Sequence, residues 1–320
     1  ANAVEKRLLR GDITLLYAAP ERVTTPRFLA QLDSLHERGQ LSLFAIDEAH
    51  CVSQWGHDFR EEYLQLNMLH ERFPDVPRLA LTATADDHTR ADMIERLNLQ
   101  DARVFISSFD RPNIYYQIVE KDNGRQQLLD FIKQQPEGSA GIVYCLSRKR
   151  VEETAAFLQS KNFPALAYHA GLPATERALV QDEFLLEEGR IVCATVAFGM
   201  GIDKPNVRFV AHVDLPKSLE GYYQETGRAG RDGGEGNCIT FYSYDDIMKL
   251  EKFMKDKPVN EQEIGKQMLS ETASFAETSS CRRKFILHYF GEEFNDAKCN
   301  EMCDNCRHPK QKFEAQDDLL

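Results

Sequence analysis

Three ionisable residues stand close together at the end of an apolar run. Asp47, Glu48 and His50 follow Leu43–Ile46 in the stretch LFAIDEAH. Adjacent carboxylates are costly to bury, so at a strand end they indicate a site built around a cation. Asp47 suits Mg²⁺, usually through water, Glu48 can orient or deprotonate an attacking water, and His50 can link the pair to a neighbouring segment. The alternative is a helix N-terminus that simply favours acids.

A second candidate site is rich in arginine and glycine. In YYQETGRAGRDG, Gln224, Arg228 and Arg231 are spaced by four and three residues, so they share one face if the segment is helical. Two arginines beside glycines can clamp a polyphosphate and stabilise charge that develops in phosphoryl transfer. Upstream, Gly199 and Gly201 allow close approach of the backbone to a ligand, and Asp203 follows. The alternative is an exposed arginine-rich helix.

The chain has eight cysteines, and four of them gather towards its end. Cys299, Cys303 and Cys306 read C-x3-C-x2-C, and Cys281 lies upstream. Such clustering indicates a metal site rather than disulfides, and Zn²⁺ takes four thiolate or imidazole ligands. The spacing leaves the fourth ligand open between Cys281 and His308. If His308 is the ligand, Cys281 is a buried structural thiol.

Short apolar runs alternate with amphipathic stretches and place these residues. Pro26–Arg38 and Asp86–Leu97 are predicted helices, and Pro26 suits a first turn. The predicted strands are residues 13–18, 43–47, 79–84, 104–107, 114–119, 141–146, 165–170, 190–195, 208–214 and 238–243. This alternation predicts two α/β blocks, joined near Phe109–Asn113, with parallel sheets covered on both faces. Ligands bind beyond the carboxyl ends of such strands. From Tyr244 onward the pattern predicts helices and then a cysteine-rich tail.

Composition and net charge limit the number of domains and the possible partners of the chain. The chain has 320 residues, 42% apolar and 28% charged, enough for two domains. Its net charge of −12 by itself argues against nucleic-acid binding. Two basic runs, Arg148–Arg150 and Arg282–Lys284, are best explained as solvated helix faces, although the second could also face DNA phosphates. No apolar run approaches the length of a membrane helix and the start is not secretory, so we expect a cytosolic protein.

The motifs form an ordered set. DEAH, TAT, GMGIDKPNVRFV and QETGRAGRDG, in this order over two α/β blocks, resemble superfamily 2 helicases. The stretch CVSQWGHDFREEY (51–63) resembles the aromatic-rich loop of the RecQ family of DNA helicases. YAAPERV (17–23), DRPN (110–113) and the cysteine cluster also match that family. The resemblance covers about residues 15–312.

This resemblance implies a fold and a division of the chain. The expected fold class is α/β, with two RecA-like parallel-sheet domains, the first truncated at its N-terminus, and a small helical zinc-binding module. The expected domains are 1–109, 110–243 and 244–312, with 313–320 a tail that leads to a winged-helix domain outside this chain. The implied cofactors are ATP, Mg²⁺ and Zn²⁺.

The resemblance also assigns roles to residues. It implies that Asp47 helps to hold Mg²⁺, that Glu48 acts on the hydrolytic water, and that Arg228 and Arg231 approach the γ-phosphate from the second domain. The remaining nucleotide-site residues are Gln224, which helps to join the domains around ATP, and His50 and Asp203. The DNA-contacting set comprises Trp55, Phe59 and Arg60 in the aromatic loop and Ser147, Arg148, His169 and Thr195 in the second block. For His169 alone, a structural hydrogen bond at a strand end is the commoner role. The family pattern favours Cys281 as the fourth zinc ligand.

One expected motif is missing. No G-x-x-x-x-G-K-[ST] loop occurs in the 320 residues, although this loop cradles the phosphates in such enzymes. Either the sequence is part of a longer helicase, which we favour because the other motifs are intact, or the protein starts here and hydrolyses ATP poorly. We expect this polypeptide alone not to turn over ATP efficiently.

The function expected from the resemblance is ATP-dependent 3′–5′ unwinding of duplex DNA in repair and recombination. The expected partners are single-stranded and duplex DNA, and a single-stranded DNA-binding protein through regions outside this chain. The first rival is an ATPase-deficient DNA-binding module. The second rival is an RNA-directed DEAH-type ATPase, against which QWGHDFR and the cysteine cluster speak.

Overall fold

The computed structural model describes residues 2–53, 59–196, 198–199, 202–255 and 258–309. The chain divides into two compact units, Ala1–Ser107 and Ser108–Leu320. This division falls just before the boundary that we expected after residue 109. None of the helices in the described ranges is both long and apolar enough to cross a membrane.

The first unit is mostly helical around a small parallel sheet. Its paired strands are β1 (Phe44–Ile46) and β2 (Arg78–Ala80), with Ile46 opposite Ala80. Its helices are α1 (Asn2–Arg10), α2 (Pro20–Val23), α3 (Pro26–Glu37), α4 (Glu61–Leu64), α5 (Met68–Arg72) and α6 (Asp87–Arg96). Apolar side chains of the helices and of β1 form one core.

Capping residues explain where the two predicted helices of this unit begin. The Thr25 hydroxyl accepts a hydrogen bond from the Phe28 amide, and Pro26 occupies the first turn of α3. The Asp86 carboxylate accepts from the Thr89 amide at 2.7 Å and starts α6. Both helices are therefore confirmed within one or two residues.

Two predicted strands of the first unit are wrong. Residues 13–18 and 104–107 lie outside the strands of the described chain, and the strand expected at 79–84 ends at Ala80. Phe105 is 86% exposed and Tyr17 87% exposed. Apolar composition predicted these strands, but a strand also needs a hydrogen-bonded neighbour, and in this structure neither segment pairs with β1 or β2.

The second unit is built on a parallel sheet of six strands within the described residues. The strands are β3 (Ile114–Glu120), β4 (Ala140–Tyr144), β5 (Ala165–Tyr168), β6 (Ile191–Ala194), β7 (Val207–His212) and β8 (Gly236–Tyr242). Their order is β3-β8-β7-β4-β6-β5, and each adjacent pair is parallel. All six predicted strands of this block are confirmed.

Helices cover both faces of this sheet. They are α7 (Gly124–Lys133), α8 (Arg148–Ser160), α9 (Ala174–Leu186), α10 (Leu219–Thr226), α11 (Tyr244–Met254), α12 (Val259–Glu277), α13 (Arg282–Tyr289) and α14 (Asp304–Arg307). Neighbouring strand residues enter opposite cores: Ile142 packs in the core that contains α9, α10, α12 and α13, and Val143 in the core that contains α7 and α8. The predicted two-sided parallel sheet is confirmed.

Candidate functional site

The acidic pair lies where β1 ends. The Leu81 amide donates to the Ile46 carbonyl, and the Ala49 amide donates to the Leu81 carbonyl, both at 2.9 Å. Because Ile46 and Ala49 both bond to Leu81, the chain turns tightly between Ile46 and Ala49. Within this turn Glu48 has φ 51°, in the left-handed region, and its amide donates to the Asp47 carboxylate at 2.9 Å. A non-glycine residue at positive φ strains the backbone by about 1 kcal/mol or more, and such residues are typical of functional sites. Asp47 is exposed and Glu48 half-buried, so both carboxylates can meet a ligand.

His50 joins this turn to the neighbouring TAT segment. Its buried ring has Nδ1 2.9 Å from the Thr82 hydroxyl and 3.4 Å from a Glu48 carboxylate oxygen. The Thr82 hydroxyl also accepts from the Thr84 amide at 3.2 Å. The predicted link between the acidic pair and a neighbouring segment is therefore confirmed, since one imidazole ring contacts both Thr82 and Glu48.

In the described part of the aromatic loop, Arg60 contacts Cys51, which lies shortly after the acidic pair. The Arg60 amide donates to the Cys51 carbonyl at 2.9 Å, and Phe59 is 38% exposed. Tyr63 lies behind them, and burial, assisted by the Cys51 thiol, raises its pKa to about 12. Trp55 and Gly201 lie outside the described residues. The DNA-contacting role of Trp55, Phe59 and Arg60 stays a prediction.

Arg228 and Arg231 lie in a turn, not on a helix. Helix α10 carries Gln224 but ends at Thr226, so the predicted shared helical face is wrong. Glycines explain the difference, since Gly227 ends the helix and Gly230 and Gly233 have φ of 59° and 83°. We call residues 227–233 the arginine turn.

The arginine turn is held against the GMGID segment. Arg228 Nη1 donates to the Gly199 carbonyl at 2.6 Å, and Arg231 Nη1 donates to the Ile202 carbonyl at 3.2 Å. The Asp203 carboxylate is 3.6 Å from Arg231 Nη1. A Cβ at residue 199 would lie 2.4 Å from Arg228 Nη2, so a larger residue there would displace the Arg228 guanidinium group from this position. Burial and the neighbouring Arg228 charge lower the pKa of Arg231. Two cationic groups are thus fixed near each other.

The predicted DNA-contacting residues of the second unit lie at one edge of its sheet. Ser147 follows β4, His169 follows β5 and Thr195 follows β6, and these three strands are neighbours. The Ser147 hydroxyl accepts from the Arg150 amide and caps α8, and Arg148 is exposed in its first turn. The carboxyl ends of the strands therefore bring these residues to one side of the unit. Contact with DNA stays a prediction.

His169 itself has a structural role. Its ring is 4% exposed, Nδ1 accepts from the Gly171 amide at 3.2 Å, and Nε2 lies 3.1 Å from a Glu152 carboxylate oxygen. The acceptor at Nδ1 places the proton on Nε2, which donates to Glu152. This is the strand-end hydrogen bond that the residue type alone favoured. Contact of His169 with DNA stays a prediction.

The four clustered cysteines meet in space. Their sulfur atoms lie within 4.8 Å of one another, with 3.7 Å between Cys299 and Cys303 and 4.0 Å between Cys303 and Cys281. Zn–S bonds of about 2.3 Å put the sulfurs of a tetrahedral site about 3.8 Å apart, so the residues fit Zn²⁺. Hydrogen bonds from the Cys281 and Cys299 thiols lower the pKa of Cys303. His308 is exposed and outside this group, so the geometry favours Cys281 as the fourth ligand.

The cysteine loop is part of the sheet. The Tyr116 amide of edge strand β3 donates to Met302 at 3.2 Å, and Tyr116 forms a parallel bridge with Cys303. The Ile118 amide donates to the Asp304 carboxylate at 2.9 Å. The loop therefore protects the edge strand and ties zinc binding to the stability of the second unit.

Both interpretations of the basic run at 282–284 are wrong for its first two residues. Arg282 and Arg283 are buried, at 2% and 3% exposure. Arg282 Nε is 2.9 Å from the Asp304 carboxylate, and Arg283 Nη2 is 2.6 Å from Asp110. Burial opposes the Arg283 charge, but the contact with Asp110 outweighs it and the pKa of Arg283 is raised. Lys284, paired at 3.1 Å with Asp296, is the more exposed member of the run.

Sequence reasoning missed the functional importance of Thr82 and of the DRPN residues. In the sequence, TAT and DRPN stand out only as motifs that resemble those of helicases. In the structure, Asp110 pairs with Arg283, and Arg111 and Asn113 contact carbonyls of the arginine turn. A charged and amide-bearing stretch beside Pro112 was the available signal.

Three family models match the chain in order. Residues 2–93 match the DEAD/DEAH box helicase model, residues 123–233 the helicase conserved C-terminal domain, and residues 244–307 the RecQ zinc-binding model. Solved structures agree on the fold. Dbp5 of S. cerevisiae, bound to RNA and ADP BeF3, has a TM-score of 0.54 at 20% identity over 75% of this chain and 68% of that chain. DEAD-box helicase Mss116, bound to ssRNA and UDP-BeF, also has a TM-score of 0.54 at 20% identity, over 71% and 49%.

Fold and motifs together define a protein built on two RecA-like units, of the DEAD/DEAH helicase class. ATP-dependent DNA helicase RecQ of Haemophilus influenzae is 47% identical over 313 residues, which is 98% of this chain and 49% of that protein. RecQ-like DNA helicase BLM of Xenopus laevis is 43% identical over 95% of this chain and 23% of that protein. The chain belongs to the RecQ family of ATP-dependent DNA helicases.

The cofactors follow from this membership and from the cysteine geometry. Zn²⁺ is the metal of the four-cysteine cluster, and the family's ATP dependence implies ATP with Mg²⁺. The chain spans about half the length of the bacterial relatives it matches.

Proposed function

We propose that this chain forms the motor part of an ATP-dependent 3′–5′ DNA helicase that unwinds duplex DNA in repair and recombination. The supporting observation is the arginine turn, in which Arg228 and Arg231 are each fixed on a backbone carbonyl of the GMGID segment. Two preorganised cations of this kind suit the transition state of phosphoryl transfer, where charge spreads over the γ-phosphoryl oxygens.

Each unit carries residues suited to a part of this reaction. In the first unit, Asp47 would hold a hydrated Mg²⁺, and Glu48 would orient the attacking water and accept its proton. In the second unit, Arg228 and Arg231 neutralise charge on the γ-phosphoryl group. An arginine in this role typically contributes about 10³–10⁵ in rate. Mg²⁺ supplies charge neutralisation on the phosphates when bound.

DNA couples to hydrolysis through the aromatic loop. In this loop Trp55 and Phe59 stack on unpaired bases and Arg60 contacts the strand. In the second unit, the DNA backbone is contacted by Ser147, Arg148 and Thr195. His169 holds the Gly171 turn beside these residues. Arg60 and Cys51 are hydrogen-bonded, and Cys51 follows His50, whose ring contacts Thr82 and Glu48. A strand bound at the loop therefore acts on Glu48 through a short path.

The partners and location belong to the same proposal. The partners are single-stranded and duplex DNA, and a single-stranded DNA-binding protein that binds outside these 320 residues. The location is the bacterial cytosol. The relatives from H. influenzae and Pasteurella multocida, both bacteria, are named ATP-dependent DNA helicase RecQ.

The test compares ATP hydrolysis by this chain and by the full encoded chain, each with single-stranded DNA, with RNA and without nucleic acid. We expect the full encoded chain to be stimulated many-fold by DNA and much less by RNA. Lack of stimulation by DNA in the full encoded chain would refute the helicase assignment. DNA binding without any hydrolysis would favour the DNA-binding module, and preferential stimulation by RNA would favour the RNA-directed ATPase.

A further inference from the structure

Arg111 contacts the backbone of the arginine turn from the linker segment, which we define as Ser108–Asn113. Its Nη1 donates to the Gly227 carbonyl at 2.7 Å, and its Nη2 donates to Ala229 at 2.8 Å and to Gly230 at 3.3 Å. These carbonyls flank Arg228 and immediately precede Arg231. One guanidinium group therefore fixes the peptide units that carry both arginines.

The turn needs such external support. The last carbonyls of a helix have no partner within it, and glycines add backbone freedom. Asn113 assists, because its Nδ2 donates to the Gly230 carbonyl at 2.8 Å and to Gly234 at 2.7 Å. A Cβ at Gly230 would lie 2.3 Å from the Gly234 carbonyl oxygen, so this part of the turn is closely packed.

The linker segment is itself held firmly on its other side by the zinc-binding region. Asp110 pairs with buried Arg283, and the Phe109 ring stacks on Phe290 with centroids 4.6 Å apart. The Glu292 carboxylate accepts from the Ser108 hydroxyl at 2.6 Å and from the Phe109 amide at 2.8 Å. Arg111 thus projects from a backbone that has little freedom to follow the turn if the turn moves.

We propose that Arg111 is a positioning residue for ATP hydrolysis, which sets the arginine turn so that Arg228 and Arg231 meet the γ-phosphoryl group. Arg111 acts through the turn and does not touch the nucleotide. The proposal rests on the proposed function. A misplacement of about 1 Å in such a group costs about 10²-fold in rate. Removal of Arg111 therefore lowers kcat, while KM for ATP changes little because the binding groups of the first unit are untouched.

The experiment uses the full encoded chain with Arg111→Ala, Arg111→Gln and Arg111→Lys. The matched control is Arg78→Ala, since Arg78 likewise donates to backbone carbonyls, Leu97 at 2.5 Å and Asn98 at 2.8 Å, but within the first unit. Steady-state ATPase is measured at saturating single-stranded DNA, together with melting temperature, zinc content and DNA affinity.

We expect kcat to fall by about 10–100-fold in Arg111→Ala and Arg111→Gln, with KM, zinc content and DNA affinity near wild type. Arg111→Lys restores part of kcat, because an ammonium group reaches fewer carbonyls than a guanidinium group. The control loses a similar amount of stability and keeps its kcat. Equal kcat in folded Arg111→Gln and wild type would overturn the proposal, as would an equal kcat loss in the control. A wild-type chain without DNA-stimulated hydrolysis would instead overturn the proposed function.

Discussion

Replacement of Asp110 by Asn tests whether the buried Arg283 pair stabilises the second unit. Asp110 meets Arg283 through three hydrogen bonds of 2.6–3.0 Å. The Arg283 side chain is only 3% exposed and that of Asp110 24% exposed. Asn removes the negative charge but keeps the size of the side chain. The guanidinium group then stays buried without its counter-charge.

The expected loss is about 2–3 kcal/mol. Removal of one partner from a fully buried pair costs about 3–5 kcal/mol. The expected loss is lower here because Asp110 is partly exposed and because Arg283 Nη1 keeps its hydrogen bond of 2.9 Å to the Cys299 carbonyl. With a urea dependence of about 2–3 kcal/mol per molar, the unfolding midpoint falls by about 1 M.

The assay follows urea unfolding of the 320-residue chain by two signals. Zinc release to a coloured chelator reports the second unit, and fluorescence of Trp55, the one tryptophan in the sequence, reports the first. The control is Asp296→Asn, which breaks the more exposed ion pair of Lys284, a residue on the same helix as Arg283. Loss of such an exposed pair lowers the free energy of unfolding by less than about 1 kcal/mol. We expect Asp110→Asn to shift the zinc signal and leave the tryptophan signal in place. Equal, small shifts in the two variants would refute the reasoning.

Further predictions concern metal, chemistry and coupling. Cys281→Ser should abolish stoichiometric zinc by elemental analysis while His308→Ala retains it; the reverse pattern would show that the fourth ligand is His308. Zinc affinity, measured by competition with a chelator, should fall as pH drops from 8 to 5 because the cysteine thiols must lose their protons to bind zinc as thiolates; constant affinity would argue against thiolate ligands. In the full encoded chain Glu48→Gln should lower kcat by about 10²–10⁴-fold, and an unchanged kcat would remove Glu48 from the chemistry. Thr82→Val should destabilise the first unit by about 1–2 kcal/mol, read by tryptophan fluorescence in urea, because the buried His50 ring loses a hydrogen-bond partner; a cost below about 0.5 kcal/mol would contradict the hydrogen bond seen. Trp55→Ala should reduce DNA stimulation of the ATPase several-fold, and normal stimulation would make Trp55 a packing residue.

The sequence predicted the second unit better than the first. Each of its six strands was found because a strand buried on both faces is a continuous apolar run with a helix on either side. In the first unit, residues 13–18 and 104–107 have the same composition but are not strands. Composition shows that a segment is able to form a β-strand, whereas strand pairing depends on a second segment that is distant in the chain.

The candidate sites divide in the same way. The sequence by itself determined the chemical groups: the carboxylates after β1, the arginines among glycines and the cysteine cluster, because their types and spacing are visible within a few residues. Only the tertiary structure decided that Arg228 and Arg231 lie in a turn and that Arg282 and Arg283 are buried beside acids.

The contact of Arg111 with Gly227 is the hardest of these to predict from the sequence, since 116 positions separate the two residues. Local patterns reflect backbone preferences over one or two turns of chain. The environment of a charge depends on which distant segments surround it, and the second unit, by folding the linker segment between the zinc-binding region and the arginine turn, sets that environment.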